Sequence, residues 1–533
     1  MRITNKIMQR NNLSNINTNK VYQDKLSTQM STQKKINRPS DDPVVAIRAL
    51  RLRSNVTEIT QYYSKNIPDA ESWLSVTEDA LKNLTQIMTN MISQCTKGSN
   101  GALKTEDRQI ILEQMKALGE EVYSTGDADY AGRYVFTGYR TDTSLSFEKE
   151  QTLNYKITEQ LDSSAIDSVV KVNVENGNGK SLFDLNLANF QDADMLINEE
   201  DIASVEVHRI RLSYDSCSDY SQTVSSPSIS YIDENGVEQT WTGLIDDNDP
   251  AAGGDIRLIH SYDNPYVAAA NDADAVIYVP ETGEILLGEN RYKTLMGTSD
   301  DDTTVKNEAE IRVTYEKNSW QKGDLRPEHY FYCEAAPGTN DAIVYNSSYL
   351  TDNAERQEIE YDVGFNQTIR VNSTADQCFQ HGIGREVDDL VNAMQDVQDL
   401  ETVKSNIEKM LKSAEEGSTT AETLQTQLDA VEKALTYAKD KEQKMFEKGI
   451  TSFQGYLDDA SFCITECGTR SSKLSLIKNR MQNQKTTFET LKSENEDIDI
   501  TEVAIQLSSA ELTYQAALMA TGKVSQTTLL NYI

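Results

Sequence analysis

Apolar residues recurring about every 3.5 positions near both ends of the chain, and at every second position in its middle, predict a mainly α protein. The expected architecture is a long-helix, coiled-coil rod built from both chain ends, with an inserted β-rich outer region. A third observation agrees. Of 533 residues, 38% are hydrophobic and 26% charged, a lean composition that suits long helices and solvated sheets better than one large core.

The N-terminal rod starts at a marked place. Asp42 can accept the orphan amides of a helix start, and Pro43 fits the first helical position. From there the apolar stripe runs Val45, Ala49, Leu52, Val56, Ile59 and Tyr63, then Ala70, Trp73, Ala80, Leu84, Ile87 and Met91, with Asn66 and Thr77 as polar interruptions. A break is expected at Lys97-Gly98-Ser99-Asn100-Gly101. A shorter helix from about Lys104 to Tyr123 follows, with Ile110, Ile111, Met115 and Leu118 on one face.

The C-terminal third repeats the style. One stripe runs Leu424, Leu428, Val431, Leu435 and Ala438; a second runs Leu474, Ile477, Met481, Gln484, Phe488 and Leu491. The last runs Val503, Leu507, Ala510, Tyr514, Ala517, Thr521 and Val524. That final stretch is thin in large side chains and needs a partner to hold its helix.

Between about 145 and 378 the period changes to two. Ile311, Val313 and Tyr315 alternate, as do Ile359, Tyr361, Val363 and Phe365. Val205 and Val207 are followed out of phase by Ile210, Leu212 and Tyr214, which predicts a bulge near His208-Arg209. Asn235-Gly236 and Pro280-Glu281-Thr282-Gly283 read as turns, and the acidic stretches Asp246–Asp249 and Asp300–Asp302 as loops. Two long seams at opposite ends of a chain satisfy each other only if the chain folds back. The division expected is therefore terminal segments at 1–40 and 500–533, a helical rod from 41–147 and 380–499, and a β-rich insert over 148–379.

The formal charge of −34 argues against nucleic acid or an anionic membrane as a partner. The first 40 residues run against it, with Arg2, Lys6, Arg10, Lys20, Lys25, Lys34, Lys35 and Arg38 opposed by Asp24 alone. They contain no apolar stretch of a cleavable signal peptide, and no run approaches the ~18 apolar residues of a membrane span. The six cysteines lie too far apart for a disulfide framework. Cys463 and Cys467, one helical turn apart, read as small helix residues, with metal ligation as the competing reading that lacks a histidine at ligand spacing. The four histidines are scattered, and neither a nucleophile elbow nor a phosphate-cradling glycine loop is found. No catalytic, cofactor or metal site is expected. Trp241 reads as sheet core, with an exposed adhesive surface as its competitor.

The stretch MRITNKIMQRNNLSNIN, followed by STQKKINRPSDDPVVAIRALRLRSNV, resembles the start of the flagellin-like hook-associated proteins of the flagellar hook–filament junction. SWLSVTEDALKNL, GRYVFTGYRTDTSLSF, GFNQTIRVNSTADQCF and the closing DIDITEVAIQLSSAELTYQAALMATGKVSQTTLLNYI continue the likeness, over roughly 1–147 and 360–533. Gln33 departs from it, standing where the family commonly has Gly. The resemblance implies an extracellular structural subunit, an adaptor between hook and filament, exported by the flagellar type III system without cleavage. It implies terminal segments unordered in the monomer that pair on assembly. The partners implied are copies of the chain in a ring, a neighbouring hook-associated protein, flagellin, and an export chaperone at the C-terminal segment. Flagellin itself, or a flagellin-like subunit with an adhesive outer domain, is the alternative. The assembly positions expected are Ile3, Leu13, Ile16, Leu26, Val503, Leu507, Ala510, Tyr514, Ala517, Val524, Leu529 and Leu530. The rod seam and cap are Asp42, Pro43, Val45, Leu52, Val56, Ile59, Tyr63, Trp73, Leu84, Ile87 and Met91.

Overall fold

The computed structural model describes residues 5–100, 103–186, 188–219, 227–232, 236–245, 254–296, 311–350, 357–415 and 417–526. In chain order the first elements are the helices α1 (Asn5–Thr32), α2 (Pro43–Gln61), α3 (Ile67–Gly98) and α4 (Thr105–Gly126), then the short strands β1 (Asp129–Tyr130) and β2 (Arg133–Tyr134). The β-rich middle holds β3 (Gln151–Leu161), β4 (Ile166–Asn173), β5 (Ala203–Arg211), β6 (Ser228–Ile232), β7 (Glu238–Thr242), β8 (Arg257–Leu258), α5 (Pro265–Asn271), β9 (Val276–Val279) and β10 (Glu284–Leu287). It continues with α6 (Glu289–Met296), β11 (Ile311–Trp320), β12 (Tyr332–Ala335), β13 (Ile343–Tyr345), β14 (Glu360–Gly364) and β15 (Gln367–Arg370). Four helices end the chain: α7 (Ala375–Cys378), α8 (His381–Ser413), α9 (Thr419–Glu496) and α10 (Ile500–Gln526). The architecture is the one expected, long helices from both ends around a β-rich middle. The residues fall into two compact units, one within 1–71, 361–369 and 471–533, the other within 72–360 and 370–470.

The expected stripe from Val45 to Met91 is helical throughout but not uniform. Residues Tyr62–Asn66 form a π-helical segment in which the Ile67 N–H bonds the Tyr62 carbonyl, five residues back. Pro68 follows and has no N–H to give, so the wider turn falls where the ordinary ladder loses a donor. Beyond it the stripe is three rows wide: Ile67, Leu74, Leu81, Met88 and Cys95 recur every seventh residue beside Ala70, Thr77, Leu84 and Met91, and beside Trp73, Ala80 and Ile87, all buried. Three buried positions per heptad make the face of a helix bundle, broader than the two-row seam expected. Thr77, the polar interruption, sits inside this face because its hydroxyl donates to the Trp73 carbonyl at 2.9 Å.

α3 ends at Gly98, where a Cβ would overlap the buried Phe446 ring; Gly101 of the expected break lies outside the described residues. α4 buries Ile111, Leu112, Met115 and Val122, whereas Ile110 is exposed and Leu118 only half-buried. The core face of α4 is thus rotated from the one expected. Arg108 is drawn into it by Glu442 at 2.7 Å and Glu401 at 3.3 Å.

In the second unit α8 and α9 pack as a helical pair. Val397, Leu400 and Ile407 meet Leu424, Val431 and Leu435, and the segment after β4 adds Leu182, Ile197 and Ile202 to the same core. Besides the two-stranded β1–β2 ribbon, two larger sheets are found among the described residues of this unit. One has the order β4-β5-β10-β9-β8, the other β13-β12-β3-β11-β6-β7; all pairs are antiparallel except β8 with β9. Ile311, Val313 and Tyr315 are fully buried along β11. The turn at Pro280–Gly283 joins β9 to β10, with Gly283 at φ +60° and no room for a Cβ beside the Tyr214 carbonyl. β6 and β7 pair as a hairpin with Gly236 at φ +74°, while Asn235 lies outside the described residues. So do Asp246–Asp249 and Asp300–Asp302. Trp241 is buried against Tyr231, 4.8 Å between ring centroids, which removes the exposed adhesive reading of that residue.

The bulge expected at His208-Arg209 is absent. β5 pairs with β4 and β10 in unbroken register, Arg209 opposite Asp167 and Leu286. The apparent phase shift arises because a charged residue occupies a core position. Arg209 is buried, with Nε on Asp167 at 2.8 Å, Nη2 on Asp389 at 2.6 Å, and Nη1 on Glu284. Burial is costly for a guanidinium and for carboxylates alike. Burial alone would raise Asp389 and Asp167, yet the Arg209 contacts hold both below the ordinary carboxylate range.

Candidate functional site

The first unit contains both ends of the chain, and α1 lies against α10 there. Their contact is thin. Leu26, Val503 and Ala510 are buried together, with Ile498 and Leu507 partly covered. Ile16, Tyr514 and Ala517 are half-buried. The other half-buried positions of α1 include Gln9, Asn12, Asn19, Gln23 and Gln29, so the face it turns to its partner is largely amide. Apart from Leu26 and Ile16, apolar side chains of α1 stand uncovered in the single chain: Leu13, an expected assembly position, is 58% exposed and Val21 is 71% exposed.

α10 carries a second apolar row that the sequence reading passed over. Ile505, Leu512 and Met519, seven residues apart, are each about two-thirds exposed. A helix apolar on opposite sides is one built to be covered on both. Ile3, Leu529 and Leu530, and the side chain of Val524, lie outside the described residues. The resemblance implied ends unordered in the monomer; α1 and α10 are helical in this single chain.

A polar clamp ties the two ends beside this seam. α1 stops at Gln33, whose φ of +57° is the left-handed turn that glycine usually supplies. The departure from the family pattern therefore keeps the turn and carries its strain. The turn sets Lys34 and Lys35 alongside the link between α9 and α10. Lys35 N–H donates to the Glu496 carbonyl at 2.7 Å, and Ile498 N–H to the Gln33 carbonyl at 3.2 Å. Arg53 of α2 grips the buried Glu496 carboxylate with two bonds, 2.6 and 2.7 Å. Lys34 reaches Asp497 and lies 3.6 Å from Glu496. Hydrogen bonding by Arg53 lowers the Glu496 pKa, and that of Lys34 lowers Asp497; Lys34 is raised in turn. Two of the basic residues near the start thus have a bonded role in the fold.

The cap behaves as its sequence requires. Asp42 accepts from Val44 and Val45 N–H at 3.0 and 3.1 Å, with Pro43 first in the helix. Along α2 and α3, Val45, Leu52, Val56 and Tyr63 are half-buried; Ile59, Trp73, Leu84, Ile87 and Met91 are buried. The hairpin β14–β15 covers the π-helical segment: Phe365 meets Tyr62 edge-on at 5.8 Å, and Asn66 donates to the Asp362 carbonyl at 2.8 Å. Asn66 interrupts the stripe because it serves this hairpin.

Cys467 donates to the Leu74 carbonyl at 3.4 Å and Cys463 to the Gln377 carbonyl at 3.8 Å, and both thiols are free. Among the described residues no group of histidine, cysteine or carboxylate side chains could hold a metal ion, and no helix is long and apolar enough to cross a membrane.

The chain is similar to known proteins over part of its length. Residues 3–141 match the family of the bacterial flagellin N-terminal helical region. Flagellar hook-associated protein 3 of Escherichia coli (strain K12) is 30% identical over 168 residues, which are 31% of this chain and 53% of that protein. Its counterpart in Salmonella typhimurium is 29% identical over 170 residues, with the same coverage. The match thus spans about half the length of these relatives. The solved flagellar hook-associated protein 3 of Legionella pneumophila aligns with 83% of this chain and 97% of its own at 9% identity, with a TM-score of 0.29. Over residues 3–141 the chain is thus similar to the bacterial flagellin N-terminal helical region, and over about a third of its length to flagellar hook-associated protein 3.

Proposed function

We propose that the chain is an adaptor subunit joining flagellar hook to filament, exported by the flagellar type III system and built into a ring of its own copies. Its neighbours in this reading are another hook-associated protein and flagellin. A chaperone covers the C-terminal segment before export. It works by packing, with no reaction catalysed, no cofactor and no nucleic-acid or membrane-inserted partner, and its place is outside the cell.

The observation that carries the reading is α10. Its inner row holds α1 through few apolar contacts, while Ile505, Leu512 and Met519 stand uncovered. Burying apolar side chains is the main drive to association, and a row repeating every seven residues suits another helix. The −34 charge keeps free subunits apart until such rows meet.

Leu512→Asp tests this directly. Its side chain is 70% exposed, so the chain should fold and be secreted with unchanged helix content. Filament attachment and motility should be lost. Normal swimming and full-length filaments in that variant would refute the proposal. Leu507→Asp and Tyr514→Asp should also abolish assembly, but through the α1 contact.

A further inference from the structure

The chain repeats one dipeptide at adjacent places, Asn176-Gly177 and Asn178-Gly179. Both lie in the turn that follows β4, and the turn treats them differently. Val174 and Leu182, both buried, are joined by the Leu182 N–H on the Val174 carbonyl at 3.0 Å, and Glu175 pairs with Ser181. Asn176 closes the loop beyond them. Its N–H donates to the Lys180 carbonyl, and its carbonyl accepts from the Gly179 N–H, both at 3.0 Å.

The Asn176 side chain is fully used. Nδ2 donates to the Asp194 and Leu196 carbonyls at 2.8 and 3.1 Å, and Oδ1 accepts from the Asn178 and Lys180 N–H groups, both at 3.0 Å. Two donors and two lone pairs are all that a carboxamide has. Asn178 stands at the exposed tip, and among the described residues its carboxamide has no hydrogen-bond partner. Gly179 follows at φ +69°, with no atom within 4 Å of the place a Cβ would take.

We infer that Asn178 is a site of spontaneous deamidation and that the fold protects its neighbour Asn176. The Gly179 backbone nitrogen gives its proton to hydroxide and attacks Cγ of Asn178. The Cγ–Nδ2 bond breaks, the nitrogen leaves as ammonia with a proton from water, and a five-membered succinimide remains. Water opens that ring at either carbonyl, giving aspartate or isoaspartate. One water is consumed, one ammonia is released, and nothing is oxidised. Glycine, with no side chain, obstructs the attack least. The Gly179 N–H bond to Asn176 has to open first, which costs little at an exposed loop tip. At Asn176 the same attack has to break four side-chain bonds. The chemistry is independent of whether the chain joins hook to filament.

The test is peptide mass spectrometry on the full-length chain, incubated at 37 °C and at pH 6 and 8.5, both folded and in concentrated urea. Trypsin releases residues 172–180 as one peptide that carries both asparagines. In the folded chain the mass gain of amide-to-acid exchange should accumulate at Asn178 at least tenfold faster than at Asn176, and faster at pH 8.5 than at pH 6. In urea the two should convert at similar rates, because they share a dipeptide and have lost the turn. Equal rates in the folded chain, faster conversion at Asn176, or an Asn178 that stays intact when folded yet converts in urea would overturn the inference.

Discussion

Gln33 shows what one residue can cost. A side chain held at φ +57° carries about 1–2 kcal/mol of strain, part of which Gly would return as lost chain entropy. Gln33→Gly should therefore stabilise the first unit by roughly 0.5–1 kcal/mol in denaturant unfolding; a loss of stability would show that the Gln33 side chain has contacts worth more than its strain. The clamp beside it gives a pH signature. Glu496 and Asp497 have depressed pKa values, so their contribution is present above the unfolded carboxylate range and is lost as pH falls through the folded values. Lys34 is raised, so its share is present below the unfolded lysine value and vanishes as pH rises through the folded one. The clamp should hold best between about pH 5 and 10. Glu496→Gln should cost only about 1 kcal/mol, because Arg53 is half exposed, and should flatten the acid limb of the melting curve.

Arg209 is the opposite case. Removing it leaves the buried Glu284 beside the half-buried Asp167 and Asp389, which keep Lys448 and Arg211 as partners, and Arg209→Ala should cost about 3 kcal/mol at neutral pH. The deficit should shrink as acid protonates these three crowded carboxylates. A variant that melts like the parent at pH 7 would mean that water replaces the guanidinium without penalty.

At the scale of elements, position within a stripe decides tolerance. Gly98 closes α3 against Phe446, and Gly98→Val should destabilise by about 1–3 kcal/mol through overpacking, read as a lower midpoint with unchanged m-value. The long stripes were legible in the sequence because a helix returns each third or fourth residue to one face. The π-helical turn was not, because a single proline, Pro68, leaves the three-and-four spacing of the apolar residues on either side intact. Strand β5 misled for a related reason: alternation reports the polarity of a side chain, and Arg209 is polar yet buried. Only its partners on β4, β10 and α8, distant in sequence, make that position a core one.

For the molecule as a whole, the chain's two ends share one unit. Removing residues 1–32 and 500–533 should lower the helical circular dichroism by the contribution of α1 and α10, 28 and 27 residues long. Helix content unchanged by the truncation would mean that the ends order only among copies. Chain order, the pairing of the two helical ends, the cap at Asp42 and the likeness of residues 3–141 to the flagellin N-terminal helical region were all legible in the sequence, since periodicity, capping chemistry and motif can be read along it. The amide face of α1, the exposed row of α10 and the ion clusters at Glu496 and Arg209 were decided by tertiary structure. Each depends on residues hundreds of positions apart, whose burial and charge have no meaning until the chain folds back on itself.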